Sequence, residues 1–274
     1  MKIKVAIFCL AYNHENFIAK ALDGFLMQET DFDFQVIIGE DCSTDNTASI
    51  IKEYAEKYPH IIKPVFQEKN IGVYRNALET FKRIKAEYVA MCEGDDYWTD
   101  PLKLQKQVDF LDNNPDFTIC FHPAYVDFDG KVGAEIIPDP SVFKKCEYTF
   151  GDILTNNIIP TTSCVYRWNT ISAENISEFF PKLEIVPLDW FLHILHAKHG
   201  CIRCMDEVMS VYRKHEGGMW QADPETLNLR YGVQQVRFFW AVYEQVASCS
   251  TNYYETKLEP FFQRLWFCIL NMVK

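Results

Sequence analysis

No stretch of this 274-residue chain approaches the roughly 20 consecutive apolar residues that a membrane-spanning helix needs. Positive charge is scarce: 27 Lys and Arg stand against 38 Asp and Glu, a net charge of −11. That balance argues against nucleic acid as a partner and weakens electrostatic docking to anionic lipid. Internal repeats and low-complexity segments are absent. So is a second C-x-x-C, which leaves the string His193, His196, His199, Cys201, Cys204 without paired zinc-ligand spacing. That string also crosses Gly200, and on a strand Cys201 and Cys204 would point to opposite faces. The opening MKIKVAIFCLAYN has no small-residue cleavage site, and Asn13, His14 and Glu15 interrupt its apolar run. It reads as a first β-strand. On that reading the ten cysteines are reduced thiols, several of them buried, and the expected compartment is the cytoplasm, with a peripheral position at the inner membrane face left open.

What is present is ordinary globular material, 48% hydrophobic and 24% charged, enough for one large domain with a smaller helical appendage. The first half alternates period-2 and period-3.6 patterns. Strands are expected at Lys4–Leu10, Phe34–Gly39, Ile61–Gln67 and Tyr88–Cys92, and helices at Glu15–Met27, Asn46–Tyr58, Tyr74–Lys85 and Pro101–Asn113. Such alternation predicts an α/β fold, a parallel Rossmann-like sheet with helices on both faces, whose ligands lie at the carboxyl ends of the strands. Thr118–Asp127 and Cys201–Tyr212 read as single strands, Asp129–Tyr148 as a loop or hairpin, and Asp189–His199 as an amphipathic helix stopped by Gly200. Beyond Gly217-Gly218, Pro224–Val246 and Tyr253–Val273 read as two aromatic-rich helices.

The polar clusters fall at strand exits. Glu93-Gly94-Asp95-Asp96 follows the apolar run Tyr88–Cys92, where mutually repelling carboxylates call for a hard divalent cation, Mg²⁺ or Mn²⁺. Asp96 is the expected metal ligand, with Asp95 on the ribose side; Tyr97 and Trp98 either line a sugar pocket or pack in the core. Asp41 is placed to accept the N3 proton of uracil or thymine, or else to cap a helix. Ala11, Tyr12, Asn13 and Glu15 after the first strand, with Asn70, Arg75 and Asn76 around Gly72, complete a candidate nucleotide pocket. Asp189, with Trp190 beside it, is either a helix N-cap or a general base near an acceptor hydroxyl. In Tyr212–Gly218, His215 can join a metal shell while Arg213 and Lys214 face a leaving diphosphate, and the paired glycines suit a closing loop.

Taken in order, VAIFCLAYNHENFIAKALDGFLMQ, IIGEDCSTDNTASII, NIGVYRNALETF, YVAMCEGDDYWTDPLKLQKQVDFL, PLDWFLHILHAKHG and VYRKHEGG resemble the bacterial family 2 glycosyltransferases of the GT-A fold. The likeness runs over roughly residues 3 to 220. It implies a GT-A domain over 1–220 and a helical extension over 221–274. It further implies inverting transfer of a sugar from a nucleotide-diphosphate donor, UDP favoured, to a saccharide or lipid-linked acceptor in bacterial surface polysaccharide synthesis. By the same likeness Asp41 matches the acid that reads the pyrimidine, and Asp95 and Asp96 the DxD-type metal element. Asp189 matches the catalytic base and His215 the histidine near the metal. The chain departs from the pattern at Glu93, where many members have Asp, and at Leu188, where an acid usually precedes the base.

Two other readings stand beside this one. A sugar nucleotidyltransferase would carry a Gly-rich basic loop after the first strand, where this chain has Ala11–Glu15. A non-catalytic nucleotide-sugar-binding protein would have no need of the complete acid set. The C-terminal aromatics, among them Phe238, Trp240, Phe261 and Trp266, are compatible with packing on the domain, homodimer formation or contact with a lipid-linked acceptor.

Overall fold

The computed structural model describes residues 2–128, 130–140, 145–170, 187–216, 218 and 237–246. β1 (Val5–Ala11) is buried along its whole length, and its alternate residues feed two separate cores. Ala6, Phe8 and Leu10 face one side; Val5, Ile7, Cys9 and Ala11 face the other. A strand covered on both faces must be apolar at every position, and this one is. β2 (Phe34–Glu40), β3 (Ile62–Phe66) and β4 (Tyr88–Met91) join it in parallel, in the order β3-β2-β1-β4. α1 (Ile18–Leu26) buries Ile18, Ala21, Leu22 and Phe25, spaced i, i+3, i+4, i+7, and with α2 (Thr47–Lys57) and α4 (Lys103–Asn113) it covers one face. α3 (Val73–Phe81), α5 (Phe150–Thr155) and α6 (Leu188–Ala197) cover the other.

Beyond β4 the sheet stops being parallel. β10 (Val165–Arg167) lies antiparallel between β4 and β6 (Phe117–Phe121). β11 (Cys201–Cys204) and β9 (Glu147–Tyr148) complete eight strands. The two long strands expected from sequence are each broken. After β6 the chain meets His122-Pro123, where proline has no N–H to continue a ladder, and resumes as β7 (Ala124–Phe128). After β11 the exposed acids Asp206 and Glu207 interrupt the pattern before β12 (Ser210–Lys214). β6 pairs with β11 in the large sheet and β7 with β12 in a second one, of order β5-β12-β7-β8, with β5 at Tyr97–Trp98 and β8 at Lys131–Ile137. The two strands thus leave the large sheet side by side, and this exit delivers Arg213–His215 to the acidic end of β4. The α/β class, the parallel pairing of the first four strands and the helices on both faces agree with the sequence reading; the antiparallel strands beyond β4 add to it.

Of the two expected C-terminal helices, residues 237–246 are helical and bury Phe238, Ala241, Val242 and Val246 in the core that holds Trp190. The remainder, including the domain boundary near 220, lies outside the described residues. No described helix is long and apolar enough to cross a membrane.

Candidate active site

The exits of β1 and β2 are stitched together. Asn13, held at φ +56°, accepts Thr44 N–H at 2.9 Å through its side-chain oxygen, and its own N–H donates to Ser43 Oγ at 3.0 Å. Ala11 ends β1 buried, and its carbonyl accepts Asp41 N–H at 3.1 Å. Glu15 Oε2 accepts Asn46 N–H at 3.0 Å, while Asp45 Oδ1 accepts Thr47 N–H at 2.9 Å, so these acids secure the start of α2. Tyr12 stands out of this frame, 42% exposed. Asp41 is buried, and its two oxygens accept the N–H groups of Ile71 and Gly72 at 2.8 and 2.9 Å. Burial pushes its carboxyl up, against those two hydrogen bonds. Neither bond caps a helix: Asp41 fastens the loop holding Asn70 and Gly72 (φ +84°), with Arg75 exposed just beyond it.

At the exit of β4, Gly94 brings the backbone against β1. A Cβ there would lie 2.9 Å from His14 Nδ1 and 3.0 Å from Leu10 O. Asp95 is flanked by two histidines, His215 Nε2 at 3.1 Å and His14 Nε2 at 3.9 Å. Burial opposes its charge, but the His215 hydrogen bond and the two imidazoles hold its carboxyl below the usual range. Asp96, 1% exposed, accepts Arg213 N–H at 2.8 Å; burial and then the neighbouring Asp95 charge push its carboxyl well up. Glu93 is pushed up to about 8 by burial, then by the charges of Asp95 and Asp189. Burial lowers His14, whose Nδ1 has no partner among the described residues.

Asp189 lies in the first turn of α6, but the N-cap is Pro187 and no side chain caps the helix. Its Oδ2 instead accepts Thr161 Oγ1 at 2.9 Å and Asn157 Nδ2 at 3.3 Å. The N-cap alternative therefore has no bond to support it.

Several expected pocket residues are engaged in packing or bracing contacts. Asn76 is 2% exposed and uses its amide on Gly39 O at 2.9 Å and Gln67 Nε2 at 3.1 Å, pinning α3 to β2 rather than facing the open edge. Trp98 is core, donating to Thr162 O at 2.8 Å and packing edge-on against Phe25. Tyr97 is sandwiched between Lys20 and Arg213. Trp190 donates to Ile153 O at 2.7 Å and turns into the core, because neighbouring helical residues point about 100° apart. Arg213 is a brace: it donates to Asp95 O at 2.6 Å and pairs with buried Asp127 at 3.4 Å. Lys214, on the opposite face of β12, pairs with Glu135 at 3.0 Å. His193 and His196, part of the string rejected as a zinc site, are buried against Tyr166. His14, Asn157 and Thr161 carry no sequence signal as site residues; the structure alone brings them in.

Among the described residues no group of three or more His, Cys, Asp or Glu is arranged to hold a metal ion. The donor chemistry nonetheless suits a divalent cation. Asp96 and Glu93 are carboxyls whose charge is opposed by burial and then by Asp95, and hard oxygen donors with one imidazole are what Mn²⁺ or Mg²⁺ accepts.

Residues 7–173 match the family model described as glycosyl transferase family 2. The uncharacterized protein Rv1520 of Mycobacterium tuberculosis is 42% identical over 218 residues, 80% of this chain; the chain spans 61% of that relative's length. TuaG of Bacillus subtilis, provisionally named a teichuronic acid biosynthesis glycosyltransferase, is 23% identical over 87% of this chain and 92% of its own. Among solved structures, S. aureus TarS 1–349 in complex with UDP covers 91% of this chain and 67% of its own, with a TM-score of 0.65 at 19% identity, a likeness of fold.

Proposed function

The chain belongs to glycosyl transferase family 2 and has its GT-A fold, and from that premise we propose that it moves a sugar, with inversion, from a nucleotide-diphosphate sugar to an acceptor hydroxyl. The observation that carries this reading is the convergence, on one sheet edge, of the Asp95-Asp96 pair with Arg213 and His215 from more than a hundred residues away. The loops after β1 and β2, with Tyr12 exposed and Asp41 beneath, are the nucleotide side, and UDP is the favoured carrier because a carboxylate at Asp41 suits a pyrimidine N–H. Asp96 and His215 would hold Mn²⁺ or Mg²⁺, which when bound supplies positive charge for the leaving diphosphate. Asp189 takes the proton of the attacking hydroxyl. Residues 1–220 are the proposed transferase unit and 221–274 a C-terminal extension. The likeness to TuaG supports a surface-polysaccharide acceptor, saccharide or lipid-linked. A cytoplasmic position, at the inner membrane face for a lipid-linked acceptor, follows from that donor.

The test is hydrolysis of UDP-, dTDP- and GDP-sugars by purified protein with Mn²⁺. Release of nucleoside diphosphate that disappears in Asp96→Ala is the expected result. Turnover unchanged in that variant would remove the metal assignment.

A further inference from the structure

The two oxygens of Asp189 are not equivalent. Oδ2 receives both Thr161 Oγ1 at 2.9 Å and Asn157 Nδ2 at 3.3 Å, whereas no donor among the described residues reaches Oδ1. Thr161 opens a 3-10 turn, Thr161–Ser163, that is anchored in the opposite direction. Thr162 O accepts Trp98 Nε1 at 2.8 Å, Thr162 Oγ1 lies 3.2 Å from Cys92 Sγ, and Ser163 O accepts Gln107 Nε2 at 2.9 Å. Cys92 and Trp98 bracket the acids Glu93–Asp96. One short buried turn therefore ties the acidic strand end to Asp189.

We infer that Thr161, seconded by Asn157, is a positioning residue that orients Asp189 and leaves Oδ1 open for the acceptor hydroxyl. The inference rests on the reading of Asp189 as the base. In the transfer the hydroxyl proton passes to Oδ1 while the acceptor oxygen bonds to the anomeric carbon. The bond from that carbon to the diphosphate oxygen breaks, and its electron pair leaves with the nucleoside diphosphate. Were Asp189 free to turn, either oxygen could face the acceptor and neither would be held at the attack distance; two donors on one oxygen remove that freedom. The other titratable groups in the Asp189 field are Glu93, Cys164, Tyr166, His193 and Tyr212, and among the described residues none of these donates a hydrogen bond to it.

The experiment follows nucleoside diphosphate release from UDP-GlcNAc, UDP-glucose, dTDP-glucose and GDP-mannose with Mn²⁺ and water as acceptor, using the donor that the unaltered chain turns over fastest. Thr161→Val lowers kcat about 10- to 100-fold, the loss of a hydrogen bond to a charged group, with KM and UDP affinity within about twofold. Thr161→Ser, which keeps the hydroxyl, recovers most of the rate. Asn157→Ala, at an exposed position where folding is not at risk, lowers kcat about 3- to 10-fold. In an Asp189→Asn background neither change has a further effect. Unchanged kcat in both single variants, or a loss that Thr161→Ser does not recover, overturns the positioning role while an inactive Asp189→Asn leaves the base in place. An active Asp189→Asn, or no release from any donor, overturns the base reading and this inference with it.

Discussion

Two carboxylate regions lie within electrostatic reach of one another and are built on opposite plans. At the end of β4, burial and then the crowding of Glu93, Asp95 and Asp96 push Glu93 up to about 8 and Asp96 well above its ordinary range. At the start of α6, Asp189 is half-buried and receives two neutral donors on one oxygen. In the first arrangement Glu93 and Asp96 are opposed as anions even though imidazoles already hold Asp95; the second is satisfied as it stands and keeps a free lone pair. A site that must grip a charged diphosphate and also accept a proton needs both kinds. On the proposed function, the difference separates binding from chemistry.

The strongest way to break that separation is to remove one acid from each region. Asp96→Ala and Asp189→Asn should each lower turnover by roughly a thousandfold or more. Only Asp96→Ala should also abolish Mn²⁺-dependent UDP binding, measured by calorimetry. Equal loss of UDP binding in both variants would mean the two regions act as one. Next in size is Arg213→Met, which leaves Asp127, 2% exposed, without its cation. Removing one partner of a buried pair costs about 3–5 kcal/mol, read as a lower urea midpoint at constant m-value. A cost under about 1 kcal/mol would show that Arg213 does not brace the acidic end.

Two buried groups, Glu93 at the end of β4 and His196 on α6, should respond to pH with opposite signs. Glu93, raised from 4.5 to about 8, binds more protons folded than unfolded between those values, so its stabilising contribution is lost as pH rises through that window. Behind Asp189, burial depresses His196 from 6.5 to about 3, so the unfolded chain binds more protons below pH 6.5. That contribution is complete above 6.5 and falls with acid, by roughly 2 kcal/mol at pH 5. In metal-free protein, Glu93→Gln should flatten the decline of Tm between pH 6.5 and 8, and His196→Gln the decline between pH 6.5 and 5. Interchanged effects would contradict the assignment of each slope to its region.

The same division governs what the sequence could reveal. β1 and β4 are legible because strands buried on both faces are apolar throughout and end in polar turns, and β2 because its second half is; Phe34–Gly39, read from pattern, is Phe34–Glu40 in the structure. The acid cluster at β4 is legible for the same reason, since charge directly after such a strand stands out. Beyond β6 the apolar pattern runs on through His122-Pro123 and through residues 205–209, so the passage into a second sheet is marked only by one proline and two acids. The donors to Asp189 leave no trace because Thr161 and Asn157 are 28 and 32 residues away, and cross-chain hydrogen bonds impose no periodicity. Trp190 and Asn76 were expected in the pocket by proximity along the chain; the helical turn carries both into the core.

The smallest expected effect tests whether the nucleotide rim is independent of both regions. Tyr12 is 42% exposed and no hydrogen bond to its side chain is found among the described residues, so Tyr12→Ala should leave thermal stability unchanged. The residue after it is held by Ser43 and Thr44, which fixes where the ring is presented without using the ring. A phenol ring offered in this way to a base gains about 0.5–1.5 kcal/mol from stacking, so its loss should raise KM for the sugar nucleotide about 2- to 12-fold at constant kcat. Because stacking accepts any base, the rise should be similar for UDP and GDP donors. A fall in kcat in Tyr12→Ala would place the ring beside the reacting sugar and join the rim to the catalytic side.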